Sequence, residues 1–316
     1  MESTKPKSKV FPVTRFVDAL PASLIPQLAP PGPAKRLIFI GDVHGMRAAL
    51  ERLLEKVRFD REKGDHLVFV GDLVNKGPDS PGVIDLAMEL GASAVRGNHD
   101  NAVLDAAGAA RLRNGEWLSE AASQANNTVE AMPPASSSVA QEQAANSTPT
   151  PAAHSEVTIK TASELSARHL EWIAALPLIL RIDLPAHRSS SLASIIVTHA
   201  GLVPGVPLDQ QDPHAVMHMR SIVTKDGVLE AAEGAGEESW AAVWERAQEE
   251  VEESQRRMVI FGHDAKRKLQ VRKYSVGLDS GSVYGNPLSA LVLDGTGDDL
   301  VQYITQGEAV QPSHDL

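Results

Sequence analysis

The fold of this chain is indicated by residues 36–45, RLIFIGDVHG, an apolar run that stops at a Gly-Asp turn. The same layout returns at residues 66–73, HLVFVGDL, and at residues 92–98, ASAVRGN. Short apolar runs that end at glycine are typical of buried strands. Between them, residues 46–57 and 81–90 place apolar side chains at helical spacing. This strand–helix–strand–helix–strand order predicts an α/β domain with parallel strands and helical crossovers.

The second half of the chain carries further signals of regular structure. Helical spacing recurs at residues 162–176 and 237–253. Apolar runs predict six more strands, at residues 178–182, 194–197, 258–261, 274–277, 288–293 and 300–304.

Three segments differ from this pattern and set the expected domain limits. Residues 1–34 end in APPGPA and predict a flexible arm. Residues 114–157 are rich in Ala, Ser, Gln, Asn, Thr and Pro, a composition that buries too little apolar surface to order itself. We therefore expect one domain over residues 35–306 that contains a disordered insertion at 114–157, followed by a tail at 307–316.

Composition excludes several classes of protein. None of the 316 residues is cysteine, which rules out a thiolate nucleophile, a disulfide framework and a Cys-ligated zinc site. The net charge of −11 argues against a general nucleic-acid binder. No apolar run approaches the ~20 residues of a membrane span. We expect a cytoplasmic protein, or one of the vacuolar lumen if an N-terminal anchor precedes this sequence; the oligomeric state is not indicated.

Side chains that bind metals follow the predicted strands. Asp42 and His44 are one residue apart, so an extended backbone points both the same way. The carboxylate of Asp72 can bridge two ions. One Gly-Asp pair alone would mark a strand-ending turn, but recurrence after successive strands favours a site for two divalent ions. Zinc, manganese, cobalt and magnesium all suit this donor set, which comprises Asp42, His44, Asp72, Asn98, His199 and His263.

The motif order GDVHG, GDLVNKG, GNHD, HAG and GH, from residue 41 to residue 263, resembles the calcineurin-like metallophosphoesterase superfamily. The longer strings GDLVNKGPDS (71–80), HAGLVPG (199–205), FGHDAKRKLQ (261–270) and GLDSGSVYG (277–285) resemble its diadenosine-tetraphosphatase-like branch, and within it most closely the zinc-dependent endopolyphosphatases. The resemblance implies a four-layer αββα sandwich, with two mixed β-sheets flanked by helices. It implies one metal held by Asp42, His44 and Asp72, and a second held by Asp72, Asn98, His199 and His263.

The activity that this resemblance implies is hydrolysis of phosphoanhydride bonds, with inorganic polyphosphate as the first expected substrate. A water shared by two cations loses its proton near neutral pH and can attack phosphorus in line. Protein Ser/Thr phosphatase activity, hydrolysis of dinucleoside polyphosphates or of RNA caps, and a scaffold without catalysis are the alternatives.

His99, beside Asn98, is the expected general acid, because imidazole changes protonation near neutral pH. Protein Ser/Thr phosphatases carry an Asp-Arg pair where this chain has Asn75-Lys76, and Asn75 cannot stabilise an imidazolium by charge. Lys76 and Arg220 match the phosphate-binding positions of relatives.

Three further residues are expected to contact substrate. Tyr284 lies in a loop that overhangs the site in relatives, and Lys266 and Arg267 belong to a basic run just after His263. The basic residues within 265–273 form either a solvated surface or an electrostatic track for a polyanion.

Overall fold

The structure, a computed structural model, describes residues 11–26, 35–113, 154–184, 192–236, 238–295 and 301–311. In these residues the strands are β1 (Val17–Ala19), β2 (Arg36–Ile40), β3 (His66–Phe69), β4 (Ser93–Ala94), β5 (Ile179–Asp183), β6 (Ser194–Thr198), β7 (Ser221–Lys225), β8 (Val228–Ala232), β9 (Arg257–Phe261), β10 (Gln270–Val271), β11 (Ser275–Gly277), β12 (Ser289–Asp294) and β13 (Val301–Gln306). The helices are α1 (Arg47–Val57), α2 (Ser80–Glu89), α3 (Asn98–Arg113), α4 (Glu156–Glu164), α5 (Ala167–Ala174), α6 (Pro213–His218) and α7 (Trp240–Glu249).

The N-terminal motifs build a five-stranded sheet in the order β13-β12-β2-β3-β4. Strands β2, β3 and β4 are parallel, as their helical crossovers α1 and α2 require, while β12 and β13 join antiparallel. Four of the five residues of β2 are buried, which explains its uninterrupted apolar run. The carboxyl ends of β2, β3 and β4 therefore meet at one edge of this sheet.

The later motifs build a six-stranded sheet in the order β1-β5-β6-β9-β11-β10. Strands β6 and β9 lie side by side and parallel, so their carboxyl ends also coincide. The remaining pair, β7 and β8, forms a separate antiparallel hairpin.

The two sheets face each other across a shared apolar core. Phe39 and Val68 on the five-stranded sheet belong to the same buried cluster as Val197 and Ile260 on the six-stranded sheet. The opposite face of the five-stranded sheet packs against α1, α2, α3 and α5. The outer face of the six-stranded sheet packs against α6 and α7, including both Trp residues of α7. The predicted αββα sandwich of two mixed sheets is confirmed.

Residues 11–26 depart from the predicted flexible arm. Strand β1 pairs parallel with β5 at the sheet edge. The fully buried guanidinium of Arg96 donates to the carbonyls of Phe11 and Pro12, 3.2 and 3.4 Å away, and so fixes the segment before β1. Burial of an arginine needs such acceptors, and the backbone of this segment supplies them. Residues 1–10 and 27–34, most of the predicted insertion (114–153) and residues 312–316 of the tail lie outside the described residues.

The single helix predicted over residues 162–176 is wrong, because two helices meet there. Ser166 caps the start of α5 through a capping box with His169. Helix α3, α6 and the β7–β8 hairpin were not predicted. Across the described ranges, no helix combines the length and apolarity needed to cross a bilayer.

Candidate metal centre

Six side chains from the two sheets converge at one edge of the sandwich. Asp42 and Asp72 follow β2 and β3, and Asn98 opens α3 just after β4. His199 and His263 follow the neighbouring strands β6 and β9 of the other sheet. With His44 they form a set that we call the ligand cluster: Asp42, His44, Asp72, Asn98, His199 and His263.

The loops that present the cluster adopt backbone conformations that are costly for residues with a side chain. His44, Asp72 and His263 have φ angles of +47°, +52° and +69°. Strain of this kind persists only where the surrounding structure enforces it, and it is typical of functional sites. Glycine is required beside the carboxylates, because a Cβ on Gly97 or Gly262 would clash with Asp72 or Asp42, respectively.

Backbone carbonyls fix which nitrogen of each histidine faces the cluster. His44 Nδ1 donates to the carbonyl of Val74 at 3.2 Å, and His199 Nδ1 donates to that of Val70 at 2.9 Å. His263 is reversed, since its Nε2 donates to the carbonyl of His218 at 3.1 Å. The lone pairs left for a metal are therefore on Nε2 of the first two and on Nδ1 of the third.

These lone pairs point at the oxygens of the cluster. The two oxygens of Asp72 lie 3.4 Å from different histidines, Oδ1 from His199 and Oδ2 from His44. Asn98 Oδ1 lies 2.9 Å from His199 Nε2 and 3.0 Å from His263 Nδ1.

Electron-pair donors that face each other without a proton between them are stabilised by cations. The donor set thus fits divalent ions, and Asp72 is placed to serve two of them. Asp42, Asp72 and His199 bring ligand atoms within 4.8 Å of one another, as do His44, Asp72 and His99.

The pKa shifts of Asp42, Asp72 and His44 suit metal binding. Burial, reinforced by Asp279 and Asp72, raises the pKa of Asp42 well above its usual value, so its charge calls for a cation nearby. Burial opposes the charge on Asp72, but the imidazoles around it hold its pKa well below the usual range. Burial lowers the pKa of His44 to about 3, which keeps it a neutral ligand at pH 7. Burial opposes a charge on His199, but the carboxylate of Asp72 raises its pKa, so a metal bound there displaces a proton.

Asp100 supports the cluster, a role that was not predicted from the sequence. Its carboxylate is fully buried and accepts four backbone N–H groups, those of Gly97, Asp72, Leu73 and Val74, at 2.9 to 3.2 Å. These bonds join the loop after β3 to the loop after β4. Burial and the charge of Asp72 raise the pKa of Asp100 to about 6, so it is ionised at pH 8. Its position in the third residue of a helix that follows glycine was the available signal.

His99 lies against the ligand cluster, with its ring centroid 5.0 Å from that of His44. Its backbone N–H donates to Asp72 Oδ1 at 2.9 Å, and its Nδ1 is 3.1 Å from Asn75 Nδ2. Burial lowers the pKa of His99 to about 4, and Lys76 adds to this, while Asp72 opposes it. The proximity to the cluster agrees with the predicted catalytic role; the general-acid function itself stays a prediction.

A cavity of about 300 Å³ opens onto the cluster. Lys76, Arg220, Lys266 and Tyr284 line it, and their contacts with phosphate or substrate stay a prediction. Lys76 Nζ lies 3.1 Å from His44 Nε2 and 5.9 Å from the centre of the Tyr284 ring. The walls of the cavity also include Asp279 and Asp264, acidic groups for which the sequence predicts no role in binding.

Arg267 is placed differently from the other predicted contacts. Its guanidinium forms an ion pair with Asp264 and donates to the carbonyl of Ala235 at 2.7 Å. The Arg267 guanidinium is thus held by groups of the protein itself. Lys266 is the member of the basic run that lines the cavity.

The family model of calcineurin-like phosphoesterases matches residues 35–267, and the chain belongs to this family. A crystal structure of a protein assigned as a diadenosine tetraphosphatase is 31% identical, with a TM-score of 0.61; the match covers 93% of this chain and 98% of that one. A protein Ser/Thr phosphatase from Saccharomyces cerevisiae, 14% identical with a TM-score of 0.50 over 95% of this chain and 85% of its own, shares the fold. The family and the diadenosine-tetraphosphatase-like relatives thus agree with the resemblance carried by the sequence motifs.

Curated relatives match over shorter stretches. The symmetrical bis(5'-nucleosyl)-tetraphosphatase of Methylococcus capsulatus is 49% identical over 78 residues, which cover 24% of this chain and 28% of that protein. Serine/threonine-protein phosphatase 1 of Salmonella typhimurium is 40% identical over 84 residues, 25% of this chain and 38% of its own. The matches span only 22% to 38% of the first curated relatives. The closeness to endopolyphosphatases stays a prediction.

Proposed function

We propose that this protein hydrolyses phosphoanhydride bonds in chains of linked phosphates, with two divalent cations held by the ligand cluster. One observation carries the proposal. Electron-pair donors of the ligand cluster lie within 2.9 to 3.4 Å of one another, beside a cavity whose wall holds cationic side chains. Inorganic polyphosphate and dinucleoside polyphosphates share this chemistry. The relatives named as bis(5'-nucleosyl)-tetraphosphatases favour the second substrate, and the motif resemblance favours the first.

Each part of the site has a distinct task in this proposal. Two bound cations would neutralise phosphoryl oxygens and supply a deprotonated water near neutral pH. Lys76 and Arg220 bind phosphate oxygens beside the reacting phosphorus, as point charge and fork respectively. His99 lines the same cavity and is the group that donates to the departing oxygen.

Cavity size and charge argue for a phosphate chain over a single phosphate group. Lys266 lines the same cavity as Lys76 and is exposed at its rim, which adds a cation for a phosphate outside the reacting position. Tyr284 is 63% exposed at the mouth, in a turn that Ser282 anchors to the carbonyl of Asp42 at 2.8 Å. An exposed, anchored aromatic ring suits a base or a further phosphate carried past the metals.

The primary test is a panel of divalent ions against substrates: polyphosphate, diadenosine tetraphosphate, capped RNA and a phosphoserine peptide. We expect turnover of at least one phosphoanhydride with zinc, manganese, cobalt or magnesium. Absence of hydrolysis of every substrate with every ion, in folded protein whose metal content has been measured, contradicts the proposal and revives the inactive scaffold.

A matched pair of lysine variants tests how the phosphate chain is bound. Lys266 and Lys268 are both exposed, but only Lys266 lines the cavity. We expect Lys266→Gln to raise KM for long polyphosphate by about threefold to tenfold, and Lys268→Gln to change it far less. A small aryl phosphate should be affected by neither. Equal effects of both variants on all substrates would contradict the assigned position of the chain.

Protein phosphatase activity is the second candidate, favoured by the match to the Salmonella enzyme. The phosphoserine peptide in the panel tests it directly. We further propose that the activity is cytoplasmic, with the vacuolar lumen as the alternative, and fractionation of cells that express the tagged full-length protein distinguishes the two.

A further inference from the structure

Asn75 is held in one orientation by groups far away in sequence. Its side chain is buried, and Nδ2 donates to Thr158 Oγ1 at 3.1 Å on helix α4. Its Oδ1 accepts the backbone N–H of Lys76 at 3.0 Å and the hydroxyl of Thr161 at 3.4 Å. Thr158 is itself tied to Ser155 at 2.9 Å. Helix α4 therefore fixes the orientation of Asn75, the residue that contacts His99. We call the hydrogen bonds of Asn75 with Thr158 and Thr161 the clasp.

The clasp determines the polarity of the contact with His99. A backbone N–H can only donate, so the atom of Asn75 that faces the N–H of Lys76 is the oxygen, and the amide nitrogen faces His99. The nitrogen of an amide can only donate as well, so His99 Nδ1 must accept. The proton of the neutral ring is then on Nε2, which leaves Nε2–H as the group that can donate a hydrogen bond to a bound phosphate.

We propose that the clasped amide of Asn75 is a specificity-determining positioning group: it sets His99 as a hydrogen-bond donor that favours substrates whose leaving group is a phosphate over those whose leaving group is an alcohol. The inference rests on the proposed function and refines its substrate class. It accounts for an amide at a position where protein Ser/Thr phosphatases carry a carboxylate.

The chemistry of the two leaving groups differs in its need for a proton. In both reactions the oxygen of a water that has lost one proton to solvent bonds to phosphorus, and the bond from phosphorus to the bridging oxygen breaks with its electron pair on that oxygen. A departing phosphate spreads this charge over its terminal oxygens and leaves as an anion. A departing serine side chain must gain a proton to become an alcohol, and a general acid supplies it.

Aspartate at position 75 should reverse this preference. Its carboxylate would accept from His99 Nδ1–H and so support an imidazolium that can deliver a proton. The clasp can adjust, because the hydroxyls of Thr158 and Thr161 can each donate to a carboxylate. The substitution is also isosteric, so the loop that carries Lys76 keeps its shape.

The experiment compares wild type with Asn75→Asp, loaded with the most active metal of the panel, on diadenosine tetraphosphate, a phosphoserine peptide and 4-nitrophenyl phosphate. We expect the ratio of kcat/KM for the peptide to that for the dinucleotide to rise at least about tenfold in the variant, through kcat. The aryl phosphate, whose leaving group needs no proton, should follow the dinucleotide. A peptide-to-dinucleotide ratio that is unchanged or lower in the variant overturns the inference. A wild-type protein with a higher kcat/KM for the peptide than for the dinucleotide overturns it as well.

A spectroscopic readout separates this role from a general loss of structure. In 15N-histidine-labelled, metal-depleted protein, with the His99→Gln variant identifying the signals, wild type should show His99 protonated on Nε2 and unprotonated on Nδ1. A proton on Nδ1 in wild type overturns the inference. Wild type that cleaves no substrate contradicts the proposed function instead, while the ring tautomer still reports on the clasp.

Thr158 provides a variant outside the loop of Asn75. Thr158→Val keeps the shape but removes the acceptor for Asn75 Nδ2, whereas Thr158→Ser keeps the hydroxyl. We expect the valine variant to lower kcat on the dinucleotide by about threefold to tenfold with little change in KM, because His99 loses its fixed partner. The serine variant should restore wild-type turnover. Equal kcat in all three proteins overturns the clasp.

Discussion

Replacing Asp100 by asparagine tests how the loops around the metals are held together. The carboxylate accepts four backbone N–H groups with two oxygens. An amide keeps one oxygen and turns its NH2 toward the other two donors, so two charge-assisted bonds are lost inside the protein. At about 1.5–3 kcal/mol for each such bond, the free energy of unfolding should fall by about 3–6 kcal/mol.

The matched control is Asp105→Asn in the same helix, α3. Asp105 is partly exposed and pairs with His154 at 3.1 Å, so its replacement should cost less than about 1 kcal/mol. Urea unfolding at pH 8 with chelator present measures both variants without a contribution from bound metal. If Asp100→Asn costs no more than the control, the four-donor arrangement does not stabilise the loops.

Three further predictions concern metal content, packing and pH. Asp72→Asn should lower turnover by more than about 100-fold and reduce the bound metal measured by mass spectrometry, because the carboxylate is proposed to bind two ions. Full metal content in the variant would contradict the shared ligand. Gly97→Ala should also lose metal, since its Cβ meets Asp72, whereas Gly108→Ala, whose Cβ has only the Phe11 ring at 3.5 Å, should gain about 0.5–1 kcal/mol in unfolding experiments. Burial, then the charge of Arg61, lowers the pKa of His66 to about 4. As pH falls, the unfolded chain therefore binds a proton at His66 before the folded protein does, and the free energy of unfolding should fall by up to about 3 kcal/mol between about pH 7 and pH 4. His66→Gln should flatten that part of the thermal-stability profile; an unaltered profile would exclude His66 as its cause.

The strand ends that carry the ligand cluster could be predicted because they combine two local signals. Strand β2 is an apolar run buried on both faces, and Gly41-Asp42 ends it. The carboxyl ends of neighbouring parallel strands lie together, so the sequence was sufficient to predict that Asp42 lies near Asp72. The same logic applied to His199 and His263, which follow adjacent parallel strands.

Elements without a strong local pattern were missed or misplaced. Helix α3 begins within the GNHD motif, which looks like a turn, and continues through alanines that define no apolar face. The clasp joins Asn75 to two threonines that lie 83 and 86 positions later in the sequence, and no local pattern predicts contacts at such a separation. His263 is oriented by the backbone carbonyl of His218. Any residue supplies such a carbonyl, so the sequence does not indicate this contact.

The division of the ligand cluster between the two sheets has a consequence for how the chain could be cut. A break between α3 and α4 would leave Asp42, His44, Asp72 and Asn98 on one piece, and His199 and His263 on the other. Each piece would also lack strands of the sheet it mostly builds, since β1 joins the later strands and β12 the earlier ones. Two co-expressed halves should therefore be inert apart and regain catalysis only on reassembly, which would make phosphate release a sensitive reporter of fragment complementation.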